Sequence, residues 1–244
     1  MKRKETYISV DVESSGSIPN PYSMLSLGAC DVNHIENTFY CELKPLNSLY
    51  EQKALAVAVK GIHILETMKG NPEYDPSSPS FKPHKVMSLL SREGQKPRQA
   101  MYEFVEWIND TAKGTKPVFV AFNATYDWSF VNWYLRFFTG ENPFGVSGAD
   151  IKAYYAGAFN KSWSETTKNR LPKSLLPKKP HTHNALEDAI EQAELFANMY
   201  RALPLENMRR YLKYNHDTQA LKHLDEYLKT FGDTPADPHK KPHH

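Results

Sequence analysis

Cysteine is scarce. Cys30 and Cys41 are the only two in 244 residues, and neither sits at a metal-ligand spacing. A disulfide framework and a thiolate zinc site are therefore excluded as organising features, and both residues read as reduced core thiols. Long apolar runs are missing too: nothing approaches the roughly 20 residues needed to cross a bilayer. The start, Met1-Lys2-Arg3-Lys4, leads into an alternating segment rather than a signal-peptide hydrophobic stretch, which predicts a cytoplasmic protein with no membrane partner. An excess of one charge is also lacking, because a formal net charge of +2 is ordinary for a soluble protein and does not announce a nucleic-acid binder. No internal repeat is present. With 40% hydrophobic and 12% aromatic residues, the chain has enough apolar material for a real core, in one large domain or a domain plus an appendage.

The positive charge is unevenly placed. Between Phe159 and His181 lie Lys161, Lys168, Arg170, Lys173, Lys178 and Lys179 against one acid, Glu165, in a stretch broken by Pro172, Pro177 and Pro180. Taken alone, this segment is a solvated connector; next to a nucleic-acid site it becomes a phosphate-facing edge.

Thr6 to Glu13 (TYISVDVE) alternates, with Ile8, Val10 and Val12 on one face and Tyr7, Ser9, Asp11 and Glu13 on the other, which predicts a strand. YSMLSLGACDV and NTFYCELKPL follow as two more strands joined by a polar connection at Asn33 to Asn37, an antiparallel meander. EQKALAVAVKGI reads as a short helix. Residues 70–96 hold Pro72, Pro76, Pro79 and Pro83 among serines, and are expected to form an irregular surface excursion. QAMYEFVEWINDTA has helical spacing, and PVFVAF after it is a short continuous apolar run, a covered strand. Asn123 is placed to cap the next helix, FGVSGADI holds one further short strand, and NALEDAIEQAELFANMYRAL is a strongly amphipathic helix. Leu205 to Phe231 is helical, and residues 232–244 form a polar, proline-rich tail expected to be disordered. Meander first and alternating helices and strands afterwards predict one α/β domain with a mixed sheet over residues 1–231.

Within this frame several acids are oddly placed. Asp127 shares a helical stripe with Phe130, Val131, Tyr134 and Phe138, and an ionised carboxylate on a buried face is costly without a cation. Asp11 and Glu13 leave one strand face together, where like charges repel unless something positive lies between them. Asn184 with Glu187 three residues on has the form of a capping box, starting a helix at Ala185 with His183 just outside and Asp188 in its first turn. Each has a commoner explanation: a solvated strand face, an acid at a helix N-terminus, a surface histidine.

As an ordered set, Asp11 with Glu13, Asn123 with Asp127, and His183 with Asp188 resemble the three motifs of the DEDDh 3′→5′ exonuclease family, the proofreading-exonuclease, ribonuclease T and oligoribonuclease type. The resemblance spans roughly the first two hundred residues and includes the order of strands and helices. KGIHI at residues 60–64 is similar to the family segment beside the terminal nucleotide. Departures are Ser14-Ser15 in place of a threonine-rich continuation, Phe122 where a histidine is frequent, and a longer excursion at 70–96; none removes an acid.

The resemblance implies a ribonuclease H-like fold, with a mixed five-stranded sheet, antiparallel meander then parallel strands, and helices on both faces. It implies metal-dependent hydrolysis of single-stranded RNA or DNA from the 3′ end to nucleoside 5′-monophosphates, with two divalent ions, Mg²⁺ or Mn²⁺, as cofactors. Asp11 would bridge the ions, Glu13 and Asp188 would complete one shell, Asp127 would hold the second, and His183 would take the proton from the attacking water. Ser14, Gly16, Ile62 and Asn123 would contact the nucleotide, with Tyr126, Trp128, Phe159 and Trp163 as stacking candidates. A homodimer stays open, since many relatives dimerise. Two rival functions stand beside this one: a catalytically silent nucleic-acid-binding domain of the same fold, and a hydrolase of dinucleotides or very short oligonucleotides.

Overall fold

The computed structural model describes residues 4–178, 181–214, 216 and 218–231; the expected tail, 232–244, lies outside them. Five strands, β1 (Glu5–Ser14), β2 (Met24–Asp31), β3 (His34–Glu42), β4 (Lys116–Ala121) and β5 (Ala149–Asp150), form one mixed sheet in the order β3-β2-β1-β4-β5. β1, β2 and β3 pair antiparallel, while β4 pairs parallel with β1 and with β5. The helices are α1 (Gln52–Ala58), α2 (Pro83–Glu93), α3 (Pro97–Thr111), α4 (Ala124–Thr139), α5 (Ile151–Phe159), α6 (Ala185–Tyr214) and α7 (Thr218–Phe231). Cys30 and Cys41 are buried and free, and among the described residues no helix is long and apolar enough to cross a membrane.

The two-residue period of β1 sends its residues into two cores. Ile8, Val10 and Val12 pack with Phe104, Phe130, Val131 and Tyr134 of α3 and α4, while a second cluster on the other side joins Cys30 and Val120 to Tyr155, Phe196 and Met199 of α5 and α6. Both faces of the sheet are covered, so the polar face of β1 is not solvated: Ser9, Asp11 and Glu13 are all buried. β1 and β4 run parallel, and their onward connections leave in opposite directions, to β2 on one side and through α4 to β5 on the other. That arrangement opens a crevice at the carboxyl ends of the two strands.

Three local expectations are corrected. The excursion at 70–96 is not irregular throughout, for α2 occupies Pro83–Glu93 and buries Val86, Met87, Leu89 and Leu90 against Leu25, Leu55 and Ile62. Pro83 starts this helix rather than breaking it, since a first-turn residue needs no backbone N–H. The β2–β3 connection is shorter than Asn33 to Asn37, because β3 already begins at His34. Asn123 occupies the cap position of α4 in a left-handed conformation (φ 66°) and makes no side-chain cap. Asp150 does that work from β5, accepting Ala124 N at 2.6 Å through Oδ2 and Ala153 N at 2.7 Å through Oδ1. One carboxylate thus caps both α4 and α5.

Candidate active site

β1 delivers Asp11 and Glu13 to the end of the sheet, α4 delivers Asp127 from its first turn, and α6 delivers Asp188 from its own first turn. Their exposures are 9%, 9%, 4% and 0%. Carboxylate oxygens of Asp11, Glu13 and Asp188 lie within 4.8 Å of one another. Asp127 reaches the same place from the opposite face, its Oδ1 accepting Val12 N at 3.1 Å. The crevice above them, about 330 Å³, is lined by Asp11, Glu13, Ser14, Phe122, Asn123, Tyr126, Asp127 and His181 among others, with Asp188 fully buried.

Burial and mutual repulsion dominate the electrostatics. Asp11 is pushed well above the usual carboxylate range by burial first and then by Asp127, Glu13 and Asp188. Glu13 is pushed up to about 8 by burial and by Asp188 and Asp127. Asp127 also rises to about 8, because burial outweighs the Val12 N–H it accepts and the more distant Lys168. Asp188 is the exception: burial raises it, but hydrogen bonds from the His181 ring and Thr182 N–H prevail and hold it below the usual value. Three buried acids that prefer a proton to an unpartnered charge form a donor set of hard oxygens to which a divalent cation fits.

The approach of α6 depends on two glycines. Gly28 pairs with Asp11 across the β1–β2 ladder, and a Cβ there would stand 2.2 Å from Leu186 N, so only a bare backbone lets the start of α6 lie on the strand. At Gly61 a Cβ would fall 1.9 Å from the His183 carbonyl oxygen. Asn184 secures the same junction: its Oδ1 accepts Leu186 N and Glu187 N at 3.1 Å, and its Nδ2 donates to the Gly61 carbonyl at 2.7 Å. The helix therefore starts at Ala185, and Asn184 caps it.

His183 has a left-handed backbone (φ 63°) and donates its N–H to Asp188 Oδ2 at 2.9 Å. Burial first, then the neighbouring His181, lowers its pKa. Of the expected nucleotide contacts, Ser14 and Asn123 line the crevice, and Gly16 does not line it but is tied to Ser14. Ser14 Oγ is 2.6 Å from Tyr126 Oη and donates to the Gly16 carbonyl at 2.5 Å. Ile62 lies elsewhere: it is buried among Leu25, Leu55 and Leu65 and does not line the crevice. Trp128 is packed edge-on against Phe119 at 5.2 Å between centroids, and Phe159 lies 4.9 Å from Tyr155, so both serve the core. Trp163 is 57% exposed.

Sequence reading missed Gln192 and His181, and placed Lys168 only within the basic segment. Gln192, one helical turn beyond Asp188, is buried and donates Nε2 to Asp11 Oδ1 at 2.6 Å while its Oε1 accepts Phe122 N at 2.7 Å. Its only sequence signature is that i+4 spacing on the stripe facing the sheet. His181 places Nδ1 3.0 Å from Asp188 Oδ2. Lys168, from the basic segment, pairs with Glu191 and stands 5.2 Å from the Phe122 ring centroid.

No protein-family model matches the chain. Over 194 residues it is 38% identical to the 3′-5′ DNA exonuclease Cap18 of Escherichia coli, an alignment covering 79% of this chain and 90% of that protein. Among solved structures it superposes on a full-length 3′-exonuclease with a TM-score of 0.56 at 13% identity, covering 82% of this chain and 83% of the other. A 3′-exonuclease described in 3′-end-specific recognition of a histone mRNA stem-loop gives a TM-score of 0.54 at 12% identity, over 82% and 64%. These likenesses establish the ribonuclease H-like exonuclease fold, and the identity to the bacterial enzyme over nearly its whole length establishes kinship, so the chain belongs to the DEDDh 3′→5′ exonuclease family and is a nuclease.

Proposed function

We propose that the enzyme degrades single-stranded DNA from its 3′ end, releasing nucleoside 5′-monophosphates, with two divalent cations, Mg²⁺ or Mn²⁺, held by Asp11, Glu13, Asp127 and Asp188. The observation that carries this reading is the meeting of these buried acids, distant in sequence, at one end of the sheet, with oxygens of three of them within 4.8 Å of one another. DNA is favoured over RNA by the similarity to the bacterial DNA exonuclease. Asp11, on which all three of the other acids act, would be shared by both ions; Glu13 and Asp188 would complete one shell and Asp127 the other. Ions so held supply charge neutralisation at the attacking and leaving oxygens of the phosphodiester.

The protein's own groups do the rest. His183, its pKa lowered, stays neutral near pH 7 and takes the proton from the attacking water. Gln192 fixes the Asp11 carboxylate by the bond to Oδ1. Beside Phe122, which lines the crevice, Lys152 Nζ stands 4.5 Å from the Trp163 ring centroid and 6.0 Å from that of Phe122. The strand's upstream bases stack on Phe122 and Trp163 while Lys152 meets the phosphate between them.

The test is hydrolysis of 5′-labelled single-stranded DNA and RNA with Mg²⁺ or Mn²⁺. Stepwise shortening from the 3′ end is expected, faster on DNA, stopped by EDTA and abolished by His183→Ala. Undiminished cleavage by His183→Ala refutes its role as base, and equal rates on RNA refute the DNA preference.

A further inference from the structure

Asp188 faces two different chemical environments. On one side it joins the all-oxygen set of Asp11 and Glu13; on the other it meets two imidazoles. Ligand atoms of His181, His183 and Asp188 lie within 4.8 Å of one another. The two rings are 4.5 Å apart at an interplanar angle of 74°. Glu191, one turn along α6 from Asp188, brings Oε2 to 3.8 Å from His181 Nδ1. The left-handed backbone of His183 (φ 63°) and its N–H bond to Asp188 keep the second imidazole beside the first. The cations facing this group are Lys168, paired with Glu191, and Lys60 toward His183.

Two imidazole nitrogens and a carboxylate are not a magnesium site, since Mg²⁺ prefers oxygen and retains its water. They suit the borderline ions Zn²⁺ and Co²⁺, which take three or four N and O ligands in tetrahedral geometry. The hydrogen bond from His181 to Asp188 is what such an ion replaces. His181 lies on the crevice wall and is 41% exposed, so the ion has a path from solvent.

We propose that His181, His183 and Asp188 bind one zinc-class ion, and that its binding inhibits the nuclease. An ion on His183 occupies the nitrogen that would accept a proton, and on Asp188 it competes with the oxygen-ligand set. The inhibition rests on the function proposed above; the binding does not.

The experiment uses the full chain and its His181→Gln and His181→Asn variants, with Co²⁺ as the spectroscopic probe. The wild-type protein is expected to develop the visible absorption of a tetrahedral Co²⁺ complex, bleached by Zn²⁺, and both variants to lose it while keeping their far-UV circular dichroism. In parallel, Zn²⁺ is titrated into the Mg²⁺-supported reaction, each protein referred to its own zinc-free rate. The half-inhibitory concentration is expected to rise about tenfold or more when His181 is replaced. Histidines elsewhere are common to all three proteins and cancel. An identical Co²⁺ spectrum in wild type and variants overturns the site, and equal Zn²⁺ sensitivity overturns the inhibition. Absence of Mg²⁺-dependent cleavage by the wild type counts against the nuclease reading, while the cobalt spectra still decide whether the site exists.

Discussion

Replacing Asp11 with asparagine should stabilise the metal-free protein while destroying its activity. Asp11 shares its site with Glu13 and Asp188 at oxygen separations within 4.8 Å. At an effective dielectric of about 20, each such ionised pair repels by about 3 kcal/mol. Asparagine keeps the shape and the oxygen that Gln192 binds but removes the charge. The sign of the pH effect follows from the raised pKa values. Asp11 moves well above its ordinary 3.8 and Glu13 from 4.5 to about 8, so between the ordinary and the raised values the folded state holds protons the unfolded state has lost. Stability is full below about 4.5 and declines as pH rises through 8, by on the order of 5 kcal/mol for a shift of that size. In EDTA, Asp11→Asn should therefore differ least from the wild type at the acid end, near pH 4.5, and exceed it by about 3 kcal/mol or more at pH 9, a rise of at least roughly 6–12 °C in Tm for a chain of this length. Thermal unfolding by circular dichroism in EDTA across pH 4.5–9 makes the measurement. A variant less stable than wild type at pH 9, or a gain independent of pH, refutes the claim that these acids repel one another in the absence of a cation.

Three further outcomes are expected. Gly28→Ala drives a methyl into the start of α6, 2.2 Å from Leu186 N; urea unfolding should show a loss of about 1–3 kcal/mol, and cleavage should fall about 100-fold as Asp188 is displaced. Gln192→Leu leaves Phe122 N and Asp11 Oδ1 without their partner; urea unfolding in EDTA should show a cost of about 1–3 kcal/mol, and an unchanged midpoint contradicts its role. Trp163→Ala should raise KM on long single-stranded DNA by roughly 5–100-fold, the worth of one stacked base, and leave dinucleotide hydrolysis unaffected; steady-state kinetics on both substrates checks this.

Much of the architecture is legible because it is local. The alternation of β1 marks its two faces, and Asp127 on an apolar stripe betrays an acid held inside, as its 4% exposure bears out. What stayed hidden is encoded by contacts between distant segments. Nothing near Gly28 says that a helix begun at residue 185 will lie on it, and Asp150 displaces Asn123 as the α4 cap only because β5 brings it alongside. α2 was masked by a proline density that reads as loop, although a proline in the first turn is compatible with a helix. His181 and Gln192 carry no motif of their own and become visible only when Asp188 and Asp11 are seen together.

The most direct test of the account is the stoichiometry of Mn²⁺ binding to the wild-type chain and to Asp11→Asn, measured by the loss of the free-ion electron paramagnetic resonance signal in the presence of a 3′-blocked oligonucleotide. Because Asp11 lies among all the other acids, two ions per wild-type chain are predicted, with both weakened together in the variant. No binding by the wild type, or a variant that binds Mn²⁺ as tightly, contradicts the claim that these carboxylates share bound cations.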